Sequence, residues 1–231
     1  MKKYVNLFVF VFMIGACLSQ GRAQTKSAVS YKNPVVDIAM PDPTVIKAAD
    51  GYFYVYATES TRNVPIMKSK DLVEWTYCNT AFTNKTRPRF EPKAGIWAPD
   101  INYINGKYVL YYAMSVWGGE QTCGIGVATA NSPQGPFTDH GKMFRSNEIG
   151  VQNSIDPSLL QYEGRNYLVW GSFRGIYVIE LTADGLSIMS GAKKKRIAGT
   201  AFEAVYIHKH GDYYYMFASI GSCCQGVKST Y

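Results

Sequence analysis

The stretch Asp42-Pro-Thr-Val-Ile-Lys-Ala-Ala-Asp-Gly-Tyr-Phe-Tyr-Val-Tyr-Ala-Thr58 returns three times in altered form. Its counterparts begin at Asp100 and end at Ser115, begin at Asp156 and end at Ser172, and begin at Glu203 and end at Ser219. Each copy runs from an acid through a short apolar segment and a Gly-containing turn to an aromatic segment that closes on small residues. The four acids stand 58, 56 and 47 residues apart. A turn dipeptide between two apolar or aromatic runs is a β-hairpin signal, here at Asp50-Gly51, Asn105-Gly106, Glu163-Gly164 and Gly211-Asp212. Further strand-like runs follow at Val64 to Lys68, Gly124 to Ala130 and Gly175 to Leu181. Helical periodicity is nearly absent.

Repeats of about 40–50 residues, each a small antiparallel sheet, mark a β-propeller. A β-sandwich is the runner-up, but it does not explain an acid that recurs at one register. In a propeller the first strand of each blade lines the central axis, so equivalent positions converge. The expectation is a ring of carboxylates from Asp42, Asp100, Asp156 and Glu203 at one end of the channel. Like charges so close raise one another's pKa, which poises one group as an acid and another as a base. A ring of unpaired acids kept for no purpose is costly. The competing use of such a ring is a structural ion site.

Composition agrees with an all-β globular chain. The 231 residues are 47% apolar and 14% aromatic, with 18 Tyr and 11 Phe. That excludes a disulfide miniprotein, collagen and a disordered tail. The formal charge of +7 is partly a property of the first residues. From Gln24 onward 21 basic side chains face 17 acidic ones, and much of the excess is the tract Lys193-Lys194-Lys195-Arg196. This reads as a solvated loop, and no nucleic-acid partner is expected.

Residues 1–23 read as a secretion signal, with Lys2 and Lys3 ahead of the apolar run Leu7 to Ile14. Cleavage after Ala23 leaves Gln24 first. Ile14-Gly15-Ala16-Cys17 instead matches a bacterial lipobox, with Cys17 as the lipid-bearing residue. Both routes imply export: periplasmic, outer-membrane lipoprotein or extracellular in a bacterium, with contact to a membrane only through the lipid anchor. Residues 24–231 are expected to form one catalytic β-propeller domain, incomplete at its C-terminus. The spacing of Cys78, Cys123, Cys223 and Cys224 fits neither a zinc site nor a redox pair. His208 and His210 read as solvated turn residues, and His140 as part of a loop.

Four ordered segments carry a resemblance. Met40-Pro41-Asp42-Pro43-Thr44, Trp97-Ala98-Pro99-Asp100, Asn153-Ser154-Ile155-Asp156-Pro157 and Phe202-Glu203-Ala204 resemble glycoside hydrolase family 43, from about Asn33 to the end. Gly171-Ser172-Phe173-Arg174-Gly175-Ile176-Tyr177 and Gly221-Ser222-Cys223-Cys224 are similar to its arabinan-degrading members, α-L-arabinofuranosidases and endo-1,5-α-L-arabinanases. The resemblance implies an all-β, five-bladed β-propeller, of which about four blades are present. It implies hydrolysis of O-glycosyl bonds in arabinose- or xylose-containing plant cell-wall polysaccharide or oligosaccharide, with inversion. Asp42 matches the general base, Glu203 the general acid, and Asp156 the carboxylate that orients the acid and adjusts its pKa. Inversion needs acid and base roughly 6.5–9.5 Å apart to admit a water molecule.

Around these acids, Trp97, Asp100, Asn153, Ser154, Phe173 and Arg174 are the expected substrate contacts. Asp100 is read as a structural or sugar-hydroxyl contact, and Trp97 as a stacking platform or a core residue. Trp117-Gly118-Gly119 is expected to form a wall loop. No metal ligand set is assigned and no cofactor is required. A calcium ion on the axis is compatible with the family, but its usual C-terminal ligand region is absent. No protein partner is expected. The chain ends at Lys228-Ser229-Thr230-Tyr231, within what the pattern makes the fourth blade. The expectation is therefore a gene fragment, a truncated frame or a chain that needs a partner to close. The alternative function is an inactive propeller fragment that only binds glycan.

Overall fold

The structure is a computed structural model and describes residues 30–221. The compact unit that begins at Lys32 holds every element described below. The signal and lipobox readings, and Cys223, Cys224 and the chain end, lie outside the described residues.

The first blade is a four-stranded antiparallel meander of β1 (Thr44–Lys47), β2 (Phe53–Tyr56), β3 (Pro65–Ser69) and β4 (Trp75–Thr80). The second is β5 (Gly95–Ile104), β6 (Lys107–Ser115), β7 (Gly124–Ala130) and β8 (Thr138–Arg145), followed by the short helix α1 (Ser146–Ile149). The third is β9 (Ser158–Tyr162), β10 (Arg165–Trp170), β11 (Ile176–Glu180) and β12 (Lys195–Ala198). The fourth sheet is the hairpin β13 (Glu203–His210) and β14 (Tyr213–Ser219). This is an all-β propeller architecture with about four blades in the chain. The innermost strands neighbour one another in order, β1 on β5, β5 on β9 and β9 on β13.

The expected turns join the first two strands of each sheet. Asn105 and Gly106 have φ of 48° and 81°, and Glu163 and Gly164 have 49° and 74°. Two successive left-handed residues give the hairpin twist that matches the strands, and Asn-Gly reaches it at little steric cost.

Side-chain alternation builds the core between blades. On β6, Leu110, Tyr112 and Met114 face Tyr54, Tyr56, Ile66 and Phe82 of blade one and the segment after it. The intervening Val109 and Tyr111 face Leu168, Trp170 and Ile179 of blade three. A blade covered on both faces has no polar side, so Tyr108 to Ser115 is buried throughout. Each fully buried apolar side chain contributes roughly 1.5–3 kcal/mol.

Several residues expected in loops or turns lie on strands instead. His140 lies within β8, not a loop, and its Nε2 is 2.8 Å from Thr129 Oγ1 on β7. Lys195 and Arg196 belong to β12, the exposed edge of blade three, where charge discourages edge-to-edge pairing. His208 and His210 lie on β13; the His208 ring stacks near Tyr206 with centroids 6.3 Å apart.

Candidate active site

The innermost strands surround a cavity of about 580 Å³, lined among others by Asp42, Asp100, Asp156, Ser158 and Tyr206. Four residues mark the same point on the four blades. Asp42, Ala98, Asp156 and Ala204 have φ of 49°, 39°, 56° and 51°, a left-handed backbone that L-residues rarely adopt. Two residues later come Thr44, Asp100, Ser158 and Tyr206, paired with Tyr56, Tyr111, Val169 and Phe217 of the second strands. The expected single register of four acids is therefore corrected. Asp42 and Asp156 are equivalent, Glu203 stands one residue before that position, and Asp100 two residues beyond it. A bulge between Trp97 and Asp100 shifts the pairing on β5.

Asp100 has a different environment from the other three acids. It is buried, and its Oδ2 accepts the Leu159 N–H at 2.8 Å and the Asn102 side-chain amide at 2.7 Å. Its Oδ1 takes the Thr44 hydroxyl at 3.4 Å. Residues at this level join neighbouring blades throughout. Thr44 Oγ1 accepts the Ile101 N–H at 3.3 Å, and the Ser158 hydroxyl donates to the Val205 carbonyl at 2.6 Å. Asp100 thus acts as a framework bridge, with protein donors on both of its oxygens. Burial pushes its carboxyl up to about 6, against the opposing pull of those donors.

The remaining acids form one electrostatic group. Asp156 is pushed up to about 8, first by burial, then by the charges of Glu203 and Asp42, while the Ala204 N–H pulls the other way. Glu203 is half-buried and raised, by burial first and by Asp42; the Ser172 hydroxyl, 3.2 Å from Oε2, opposes the shift. Asp42 is exposed to the channel, and its Oδ2 accepts the Thr58 hydroxyl at 2.6 Å.

The other expected contacts divide. Trp97 is half-buried and packs on Ala113, Cys123 and Ile155. Its ring centroid is 6.4 Å from that of Trp117, which is 80% exposed. Asn153 lies between loops, donating its amide to the Ser172 carbonyl at 3.0 Å. Phe173 has φ of 51° and donates its N–H to Phe202 O at 2.9 Å. Arg174 grips Glu120 with two hydrogen bonds of 3.0 and 2.8 Å, joining the rims of blades two and three. Ser154 is corrected: it is fully buried, donates to Val151 O at 2.8 Å and accepts Trp170 Nε1–H at 3.1 Å. A side chain with no exposed surface cannot reach a sugar. Among the described residues no group of three or more His, Cys, Asp or Glu is placed to hold a metal ion.

The model of glycosyl hydrolases family 43 matches residues 31–231. The chain belongs to this family. It is 36% identical over 203 residues to extracellular endo-α-(1→5)-L-arabinanase 1 of Bacillus subtilis, covering 82% of this chain and 62% of that protein. It is 32% identical over 192 residues to arabinan endo-1,5-α-L-arabinosidase A of Aspergillus niger, covering 79% and 59%. The chain thus spans about three-fifths of the length of these curated relatives. Among solved structures, the native Bacillus subtilis arabinanase superposes with a TM-score of 0.72 at 33% identity, covering 84% of this chain and 70% of that one. The Cellvibrio cellulosa α-L-arabinanase complexed with arabinohexaose gives 0.71 at 28% identity, covering 81% and 67%.

Two hydroxyls of this family 43 chain escape a reading of the motifs. Thr58 and Ser172 follow the aromatic second strands and bind Asp42 and Glu203 respectively. Both stand among the small residues that close each repeat, and that recurring Thr or Ser was the available signal.

Proposed function

We infer that the chain is an inverting glycosidase that cuts 1,5-linked α-L-arabinan. The observation that carries this reading is that Asp42 and Asp156 line one cavity, with Glu203 next to the lining residue Ala204, and that the charge of Asp42 raises both Asp156 and Glu203. Raised carboxyls next to an exposed one are what acid–base division of labour requires. Asp42 takes a proton from water as the water oxygen bonds to the anomeric carbon. The glycosidic bond breaks at the same time, and Glu203 passes its proton to the departing oxygen. Exchange with solvent then removes the proton from Asp42 and restores that of Glu203. Asp156 is the third acid; it holds its own proton near neutrality, beside the charge of Glu203.

Arabinan is favoured over xylan because the relatives above are named for arabinan and one solved neighbour was captured with arabinohexaose. Trp97 and Trp117 offer apolar faces to the furanose rings, with Phe173 and Arg174 at the rim. Action outside the cytoplasm is supported by the leader-like residues 1–23 and by a Bacillus relative named extracellular.

The test is release of reducing ends from linear arabinan and, in parallel, from xylan. Arabinan should be cut and xylan left intact, with Glu203→Gln slowing the reaction by roughly 100-fold or more. Glycan binding without turnover, unchanged by Glu203→Gln, would point instead to a binding fragment.

A further inference from the structure

We propose that Thr58 is the positioning residue of the general base: its hydroxyl fixes one oxygen of Asp42 and leaves the other free for water. This rests on the reading of Asp42 as the base. Thr58 Oγ1 lies 2.6 Å from the backbone nitrogen of Ala98 and 2.6 Å from Asp42 Oδ2. The amide can only donate and the carboxylate can only accept. The single hydroxyl proton is therefore directed from Thr58 to Asp42, and the two hydrogen bonds run in one sense from blade two to the acid.

The anchor does not depend on the acid it holds. Glu59, the next residue, donates its N–H to the Ile96 carbonyl at 3.1 Å and accepts the Ile96 N–H at 3.0 Å. Both Glu59 oxygens also pair with Arg87, which reaches the Ala94 carbonyl at 2.8 Å. Residues 58–59 are thus stitched to β5 by backbone and buried side chains. Asp42, by contrast, is exposed and lies on a left-handed backbone outside any strand. Without a tether its carboxylate is free to turn about its side-chain torsions.

Blade three supplies the internal comparison. Thr58 N–H bonds the Pro41 carbonyl at 2.9 Å, and Gly171 N–H bonds the Ile155 carbonyl at 2.9 Å, so these two residues are equivalent. Glycine has no hydroxyl, and there the N–H of left-handed Ala204 acts on Asp156 with no hydroxyl between them, drawing its pKa down. In blade one a hydroxyl is interposed between the left-handed amide of Ala98 and the acid. Asp42 is set back from the next blade by one oxygen atom and stands toward the channel, where water enters.

The experiment compares Thr58→Val, which keeps the shape, with Thr58→Ser, which keeps the hydroxyl. Each is measured for kcat and KM on linear arabinan and for the Asp42 side-chain conformation by crystallography. Thr58→Val should lower kcat by roughly 10- to 100-fold with KM within about twofold, and Asp42 should leave its rotamer or split between several. Thr58→Ser should keep kcat within about threefold of the parent and the rotamer intact. Equal kcat in parent and Thr58→Val, or an unmoved Asp42 in that variant, overturns the proposal. So does a Thr58→Ser that loses as much kcat as Val, which also decides the matter should Val fail to fold. A parent without turnover would defeat the reading of Asp42 as a base, while the crystallographic comparison would still decide whether Thr58 holds it.

Discussion

Ala98, not Asp100, occupies in the second blade the position that Asp42 occupies in the first. Both have left-handed backbones, with φ of 39° and 49°, and both bind the hydroxyl of Thr58. The acid of the second blade lies two residues further along β5, where it joins blades one, two and three through Thr44, Asn102 and Leu159. The innermost level of the propeller thus has two tiers. One carries Asp42 and Asp156, with Glu203 one residue before it, and the other holds the blades together.

The framework role of Asp100 predicts a stability defect. Asp100→Ala leaves the buried Leu159 N–H and Asn102 amide without their acceptor, and each orphan costs about 1–3 kcal/mol. The urea midpoint should fall by an amount worth about 3 kcal/mol. A sugar contact would behave differently, raising KM for arabinan with the midpoint unmoved.

Ser172 holds down the pKa of Glu203, because a donated hydrogen bond favours the charged carboxylate. Ser172→Ala removes that pull, so the already raised carboxyl rises further. The protonated acid then persists to higher pH, and the alkaline limb of the kcat/KM profile should move up. A limb that stays in place or moves down would detach Ser172 from the acid.

Asp156 predicts a pH-dependent stability. Its folded-state pKa of about 8 lies above the ordinary aspartate value near 3.8. The unfolded chain therefore releases this proton first, and stability from this group is present at low pH and lost as pH rises toward 8. Asp156→Asn cannot ionise and escapes that loss. Its thermal midpoint relative to the parent should climb between pH 5 and pH 9, by an amount on the order of 2–5 kcal/mol. A constant difference across that range would mean that Asp156 ionises as an ordinary surface acid.

The hairpins were legible because their chemistry is local. Asn105-Gly106 and Glu163-Gly164 announce turns, and the aromatic runs after them are buried on both faces. The fourth strands were not, since β4, β8 and β12 meet solvent; β8 and β12 carry many charged and polar residues, and β4 mixes aromatic with polar ones. The acids were read by type and order, but their register was misread at Asp100 and, by one residue, at Glu203. The bulge after Trp97 and an early start at Gly95 move β5 relative to its counterparts, and no spacing rule reveals a bulge. Ser154 had the composition of a sugar contact, and only packing of Trp170 against it removes it from solvent. Thr58 and Ser172 act across blades or across a strand pair, through distances that the linear sequence does not display.

The most direct test of the central claim is the anomeric configuration of the first product. Proton NMR can follow the anomeric signals while the protein cuts a linear α-1,5-arabino-oligosaccharide, before mutarotation mixes them. With Asp42 activating water on the face opposite the departing oxygen held by Glu203, the β-anomer should appear first and the α-anomer should grow only later. Initial appearance of the α-anomer would require a covalent intermediate on one of the acids and would contradict the assignment of Asp42 as a base.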